Sequence, residues 1–272
     1  MALRLKITPF SLKDTLECGQ FFRYTQVADT YHVQSQNRIF LLWQKEETLF
    51  FEGIEEDFIR SFFRLDEDME SILKEIDRDP TLHQAIEKYR GMRLIRQDPW
   101  ECLLSFLCSS AKAIVHIRCM IESLCRFSGK KIFSGNTISY GFPEPRCIQN
   151  SLQLREVRAG FRTSYLVKAN QCIDREQLLH LKNLPYREAR QTLMELSGVG
   201  KKIADCTLLY SLDFLEAFPI DTWMKRGLQQ AYFGGKRVTE KVMEAFVSNH
   251  FGRYAGYAQL YLFHFWRHLG KR

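Results

Sequence analysis

No Cys-x-x-Cys pair occurs in this chain of 272 residues, and no cysteine follows Cys206. The eight cysteines therefore do not form the spacing of a zinc ribbon or a small disulfide framework. Cys102, Cys108, Cys119 and Cys125 stand 6, 11 and 6 residues apart in helical patterns, which does not put them on one helix face. Reduced core thiols are the expectation. No stretch approaches the ~20 apolar residues of a membrane span, so no membrane association is expected. The first ten residues, MALRLKITPF, lack the apolar core of a signal peptide. An intracellular protein is expected, in the cytoplasm or nucleoid if the source is prokaryotic. No repeat of roughly 20–50 residues and no low-complexity tract is present, which excludes solenoids and arrays.

What remains is a chain able to fill a core: 45% of its residues are hydrophobic and 26% charged, an ordinary soluble composition. The net charge of +7 is unevenly spread. Residues 44–80 hold 13 acidic and 5 basic side chains, a balance of −8, so the rest carries +15. A basic body with one acidic lobe suits a polyanion bound away from that lobe.

Residues 1–60 alternate apolar and polar side chains. TYHVQSQ, RIFLLWQ and TLFFEG are short, aromatic and β-branched, and Gln-Asn-Arg and Lys-Glu-Glu segments separate them. The pattern predicts an antiparallel sheet. From Glu55 the period becomes helical, through Phe58, Phe62 and Phe63, then Met69, Ile72, Leu73 and Ile76. Another helix is predicted over 81–89. Asp98-Pro99-Trp100-Glu101 is a helix start, with Asp as N-cap, Pro at N1 and Glu closing a capping box. After it the chain is nearly all helix, apart from a loop-rich segment over 130–153. The fold class is α+β: an antiparallel β-sheet domain over 1–90, followed by a mostly helical body over 91–272.

The most informative stretch is LSGVGKKIADCTLLYSLDFLEAFPIDTWM, Leu196 to Met224. It holds a helix end, the tight turn Ser197–Gly200, a second helix from Lys201, and Asp221 as N-cap of a third. Gly198 and Gly200 permit positive φ and close approach of another backbone. The N–H groups opening the second helix suit a phosphate. Alone, such a hairpin is also what an ordinary surface turn between helices looks like.

This order of hairpin, lysine and capped aspartate resembles the helix-hairpin-helix DNA glycosylase superfamily. Cys18-Gly19-Gln20-Phe21-Phe22-Arg23-Tyr24, Arg96–Cys102, Gly160-Phe161-Arg162 and Tyr254–Gln259 narrow the resemblance to 8-oxoguanine DNA glycosylases, and the matches span nearly the whole chain. The resemblance implies that double-stranded DNA containing 8-oxoguanine is the partner and that the base is flipped out before its glycosidic bond is reached. It implies Lys202 as the nucleophile that forms a Schiff base, and Asp221 as the carboxylate that stabilises positive charge on the sugar. It assigns the base pocket to Gly19, whose carbonyl accepts the N7–H that guanine lacks, to Cys206 and Phe263, which sandwich the base, and to Gln259, which reads its Watson–Crick edge. DNA contacts fall on Phe161, Arg162, Gly198, Gly200, Lys201, Lys112 and His116. The backbone carbonyls of Met194, Leu196 and Val199 are candidates for a structural cation; no cofactor is required. Without late cysteines, the iron–sulfur cluster of some superfamily members is not expected. A monomer is expected.

Departures accompany these matches. Ala111-Lys112-Ala113 replaces the family's asparagine run against the orphaned partner base. His116 replaces an arginine that contacts the opposite cytosine. Trp223 and Trp266 replace a polar pair, which points to an aromatic pair in its place. Two other functions compete: a glycosylase for alkylated bases, and a non-catalytic helix-hairpin-helix DNA-binding protein. Lys202, Gly19 and Gln259 argue against the first, and the second would not require Lys202 and Asp221 together.

Overall fold

Alternating side chains and two-residue turns build the sheet that opens the chain. The computed structural model describes residues 2–109, 113–134 and 137–269; Lys112 and Ala111 lie outside them. Strand β1 (Leu3–Lys6) is followed by helix α1 (Leu12–Glu17), then β2 (Tyr24–Val27), β3 (Thr30–Ser35), β4 (Arg38–Lys45) and β5 (Thr48–Glu52). All pair antiparallel, in the order β1-β5-β4-β3-β2. Gln36 and Asn37 both take positive φ, 51° and 59°, the geometry that matches a two-residue hairpin to strand twist. Tyr31, Val33, Phe40, Leu42, Leu49 and Phe51 face inward, onto Leu12 and Leu16 of α1 and onto Ile59, Phe62 and Phe63 of or just after α2 (Glu56–Phe62). The predicted sheet is present; β1, β2 and α1 add to the three strands that its pattern marked.

Helices α3 (Met69–Ile76) and α4 (Pro80–Tyr89) precede residue 90 in sequence, yet their apolar faces join the larger, helical core. Next come α5 (Pro99–Cys108), α6 (Ile114–Ser128), the hairpin β6 (Lys131–Ser134) and β7 (Thr137–Tyr140), α7 (Arg162–Cys172), α8 (Arg175–His180) and α9 (Tyr186–Met194). Then follow α10 (Lys201–Ser211), α11 (Thr222–Tyr232), α12 (Glu240–Phe251) and α13 (Ala255–Leu269). The β6–β7 hairpin adds two strands to the segment read as loop-rich over 130–153; they are four residues each, too short for alternation to stand out. Every residue of α5 is buried, as is α10 from Ile203 onward, and the two pack along each other. A helix buried on all sides stands at the centre of a body. The Trp100 indole, fully buried, donates to the Pro143 carbonyl at 2.8 Å. Helix α13 closes the body over α3, α4 and α11. Among the described residues, no helix is long and apolar enough to cross a membrane.

The start of α5 departs from its predicted cap. Asp98 accepts from the N–H groups of Trp100 and Glu101, as an N-cap does. Glu101 does not complete a capping box; its carboxylate accepts instead from the Gln36 N–H at 3.0 Å, tying α5 to the β3–β4 turn. Burial pushes the Glu101 carboxyl up to about 7; Asp98 adds to the rise and Arg23 opposes it. An unfolded glutamate titrates near ~4.3. A folded-state value above the unfolded one gives stability that is full below that value and is lost as pH rises through about 7. Thermal unfolding of wild type and Glu101→Gln from pH 4 to 8 checks this: the wild type should lose ground to the variant with rising pH. Parallel curves would contradict it.

Candidate active site

The turn before α10 sets the site. Helix α9 ends at Met194, and the Val199 N–H donates to the Leu196 carbonyl at 3.0 Å. Gly198 takes φ +87°, and a Cβ there would fall 2.3 Å from the Tyr165 ring. Only glycine fits. Gly200 differs from expectation: its φ is −92° and a Cβ would meet nothing, while the neighbour crowding Gly198 is a ring rather than a backbone. No side chain caps α10, so its first N–H groups stay open to a ligand. The Lys201 ammonium turns away to α12, pairing with Glu244 at 3.1 Å, a carboxylate it shares with Arg190. Beneath it Asp205 accepts from the Tyr186 hydroxyl at 2.7 Å, and burial pushes its carboxyl up to about 6.

Lys202, Cys206 and Tyr210 follow at i, i+4 and i+8, one face of α10. The Lys202 Nζ donates to Ser109 Oγ at 2.9 Å and lies 4.8 Å from the centre of the Phe106 ring. Ser109 in turn donates to the Phe106 carbonyl. Burial pushes the Cys206 thiol up to about 12; Lys202 opposes the rise, and Asp205 and Asp221 add to it. Lys202 and Asp221 thus act on the same sulfur from two elements. Asp221 is the N-cap of α11, as its place in sequence predicts, accepting from the Met224 N–H at 2.8 Å.

A second wall comes from α13 and the end of α1. Tyr210 stacks on Phe106, with ring centres 5.5 Å apart, and donates to Gln259 Oε1 at 3.2 Å. Phe263 stands one turn further along α13. Gly19, with φ +99°, follows α1, and a Cβ there would come 3.7 Å from Phe263 Cε1. Among the described residues no donor takes the Gly19 carbonyl. All six residues assigned to chemistry and base pocket therefore lie on elements that meet around the Lys202 face. Tyr210, Phe106 and Ser109 are not among the residues that the resemblance assigns; the one signal in the sequence is the i+4 step from Cys206 to Tyr210. A cavity of about 470 Å³ between β2, β3, α6 and β7 contains none of these residues. Volume does not locate the site; the chemistry does.

Residues 2–103 match the family model of the 8-oxoguanine DNA glycosylase N-terminal domain. A probable N-glycosylase/DNA lyase of Methanothermobacter thermautotrophicus is 32% identical over 216 residues, 71% of this chain and 69% of that protein. The chain belongs to the 8-oxoguanine DNA glycosylase family. The structure of MBOgg1 with a low affinity DNA ligand matches at TM-score 0.93 and 32% identity, over 99% of this chain and 96% of that one. The 8-oxoguanine glycosylase/lyase of Clostridium acetobutylicum, solved with double-stranded DNA containing cytosine opposite 8-oxoguanine, matches at 0.91 and 30%, over 99% and 98%.

Against this glycosylase frame, the remaining assigned residues divide. Phe161 is 60% exposed at the start of α7, free to meet DNA. Arg162 is buried, its guanidinium against the Phe161 ring and the Ala159 carbonyl, so it braces the aromatic from behind. His116 is exposed on α6, at an open hollow shared with Cys119, Met120, Ser123 and Arg158. Trp223 and Trp266 do not form the expected aromatic pair. Trp223 is 55% exposed beside Asp221, whereas the Trp266 ring lies against Gly227, on the next turn of α11.

Proposed function

We propose that this protein is a bifunctional DNA repair enzyme that removes 8-oxoguanine from double-stranded DNA and then cuts the strand as an abasic-site lyase. The observation that carries this is the α10 face: a lysine amine above Phe106, a buried thiol, and a tyrosine that holds Gln259. With the base flipped out, deprotonated Lys202 attacks C1′, the glycosidic bond breaks and the base leaves. The sugar ring opens as the C1′–N bond becomes an imine. Loss of a C2′ proton then expels the 3′ phosphate by β-elimination. Asp221, a carboxylate at a helix N-terminus, stabilises the positive charge that builds on the sugar.

Gly19 and Gln259 read the base and Cys206 and Phe263 enclose it. The unpaired Gly19 carbonyl suits an N7–H donor. The open N–H groups of Gly198, Gly200 and Lys201 suit a DNA phosphate, and Phe161 suits the gap left by flipping. The Met194 and Val199 carbonyls have no described partner and the Leu196 carbonyl accepts one N–H, which is compatible with a cation at the turn.

Selectivity for the opposite base should be relaxed. His116 and the Ala111–Ala113 run lack the hydrogen-bonding groups that the family directs at the partner strand. Base release from duplexes with 8-oxoguanine opposite each of the four bases, with alkylated duplexes in parallel, tests substrate and preference together. Similar rates for all four 8-oxoguanine pairs and none for alkylated bases are expected. A cytosine preference worth one or two good base contacts, ~1–3 kcal/mol each, would contradict the relaxed preference, and release of alkylated bases alone would contradict the substrate.

A further inference from the structure

Gln259, Phe263 and Arg267 repeat on α13 the i, i+4, i+8 spacing of the Lys202 face on α10. Arg267 has no part in the chemistry above. Its guanidinium reaches across the molecule to the end of α1, where Nη2 donates to the Glu17 carbonyl at 2.7 Å and Nη1 to the Cys18 carbonyl at 2.9 Å. These are carbonyls that a helix end leaves without intrahelical partners, and a cation there also complements the helix dipole. The next residue is Gly19. The guanidinium carbon lies 5.8 Å from the centre of the Phe263 ring, and Nη1 would be 3.0 Å from a Cβ on Gly19.

On its other side the same turn is held by Gln20. Its side chain donates to the Thr15 and Arg93 carbonyls and accepts from the Ile95 N–H, and its own carbonyl accepts from Gln97. The Gly19 peptide is thus fixed from both sides while its carbonyl stays unpaired. The Gln20 contacts all lie within the first 97 residues. Arg267 alone of the two holds the turn to α13, which carries Phe263 and Gln259.

We propose that Arg267 is a positioning residue for base recognition: it sets the Gly19 carbonyl at the correct distance from the Phe263 ring, and so governs discrimination of 8-oxoguanine from guanine. This rests on the base-pocket reading above. A planar guanidinium bridges two adjacent carbonyls in one fork, which an ammonium does not reproduce.

The test compares wild type, Arg267→Ala and Arg267→Lys on three duplexes: 8-oxoguanine, guanine, and a preformed abasic site. Arg267→Ala should lower excision of 8-oxoguanine roughly 10- to 100-fold, the scale of a misplaced recognition group. Cutting of the abasic duplex, which has no base to recognise, should stay within about twofold of wild type. Arg267→Lys should recover only part of the loss. Excision at the wild-type rate in Arg267→Ala would overturn the proposal, as would equal loss of excision and abasic-site cutting in both variants, which marks a folding defect. Phe263→Ala in parallel separates the two readings. If it leaves excision intact, the pocket reading itself fails; if it lowers excision while Arg267→Ala does not, only the role of Arg267 fails.

Discussion

Lys202→Gln is expected to abolish strand cleavage at abasic sites and to lower release of 8-oxoguanine by on the order of 10³-fold or more, the scale on which a covalent nucleophile is lost. Glutamine has no amine to form the imine, so both steps fail together. The fold should survive, because Lys202 is partly exposed and glutamine is as good a helix former as lysine. Its amide can still meet Ser109 Oγ, the present partner of Nζ. Single-turnover rates on an 8-oxoguanine duplex and on a preformed abasic duplex check the prediction, with thermal unfolding as the control for folding. Residual cleavage within tenfold of wild type would remove Lys202 from the mechanism.

Asp221→Asn should cost about 10²- to 10³-fold in base release, the range seen when one preorganised electrostatic group is removed at a site of developing charge. This variant separates two roles that coincide in one side chain. Asp221 caps α11 through the Met224 N–H, and asparagine is an equally good N-cap. Stability should therefore change by no more than about 0.5 kcal/mol, while the negative charge disappears. A fall in rate with unchanged unfolding temperature assigns the charge to chemistry. A variant that unfolds early but keeps its turnover would make Asp221 a cap and nothing more.

The sequence pattern carries the sheet and the hairpin because both are written in local signals. Alternation marks β3, β4 and β5, and Gln36–Asn37 marks their turn. The Gly198 turn and the Asp221 cap follow from what glycine and a short carboxylate do to a backbone. Other features depend on tertiary contacts that spacing does not encode. Glu101 sits where a capping box would use it, but the β3–β4 turn, 65 positions away, offers its carboxylate a buried N–H instead. Lys201 opens the helix after the turn, and its spacing does not foretell that α12 presents it with Glu244. Nor does spacing foretell that Arg162 packs against the ring of Phe161, its neighbour in sequence.

The pocket is intermediate between these cases. Cys206 and Phe263 taken singly read as core residues, and only their joint match to a family raised them. Their helical period held further information: stepping four residues beyond Cys206 reaches Tyr210, and four beyond Phe263 reaches Arg267. The proposed base pocket is walled by helix faces, each a stripe at i, i+4 and i+8, and both stripes extend past Cys206 and Phe263.

In the proposed mechanism Lys202 carries a covalent step on 8-oxoguanine DNA. Borohydride reduces an imine to a stable amine, so trapping with an 8-oxoguanine duplex followed by peptide mapping tests it most directly. A protein–DNA adduct on the peptide containing Lys202, absent from Lys202→Gln, is the predicted result. Release of the base with no adduct, or an adduct mapped to a different lysine, would contradict it.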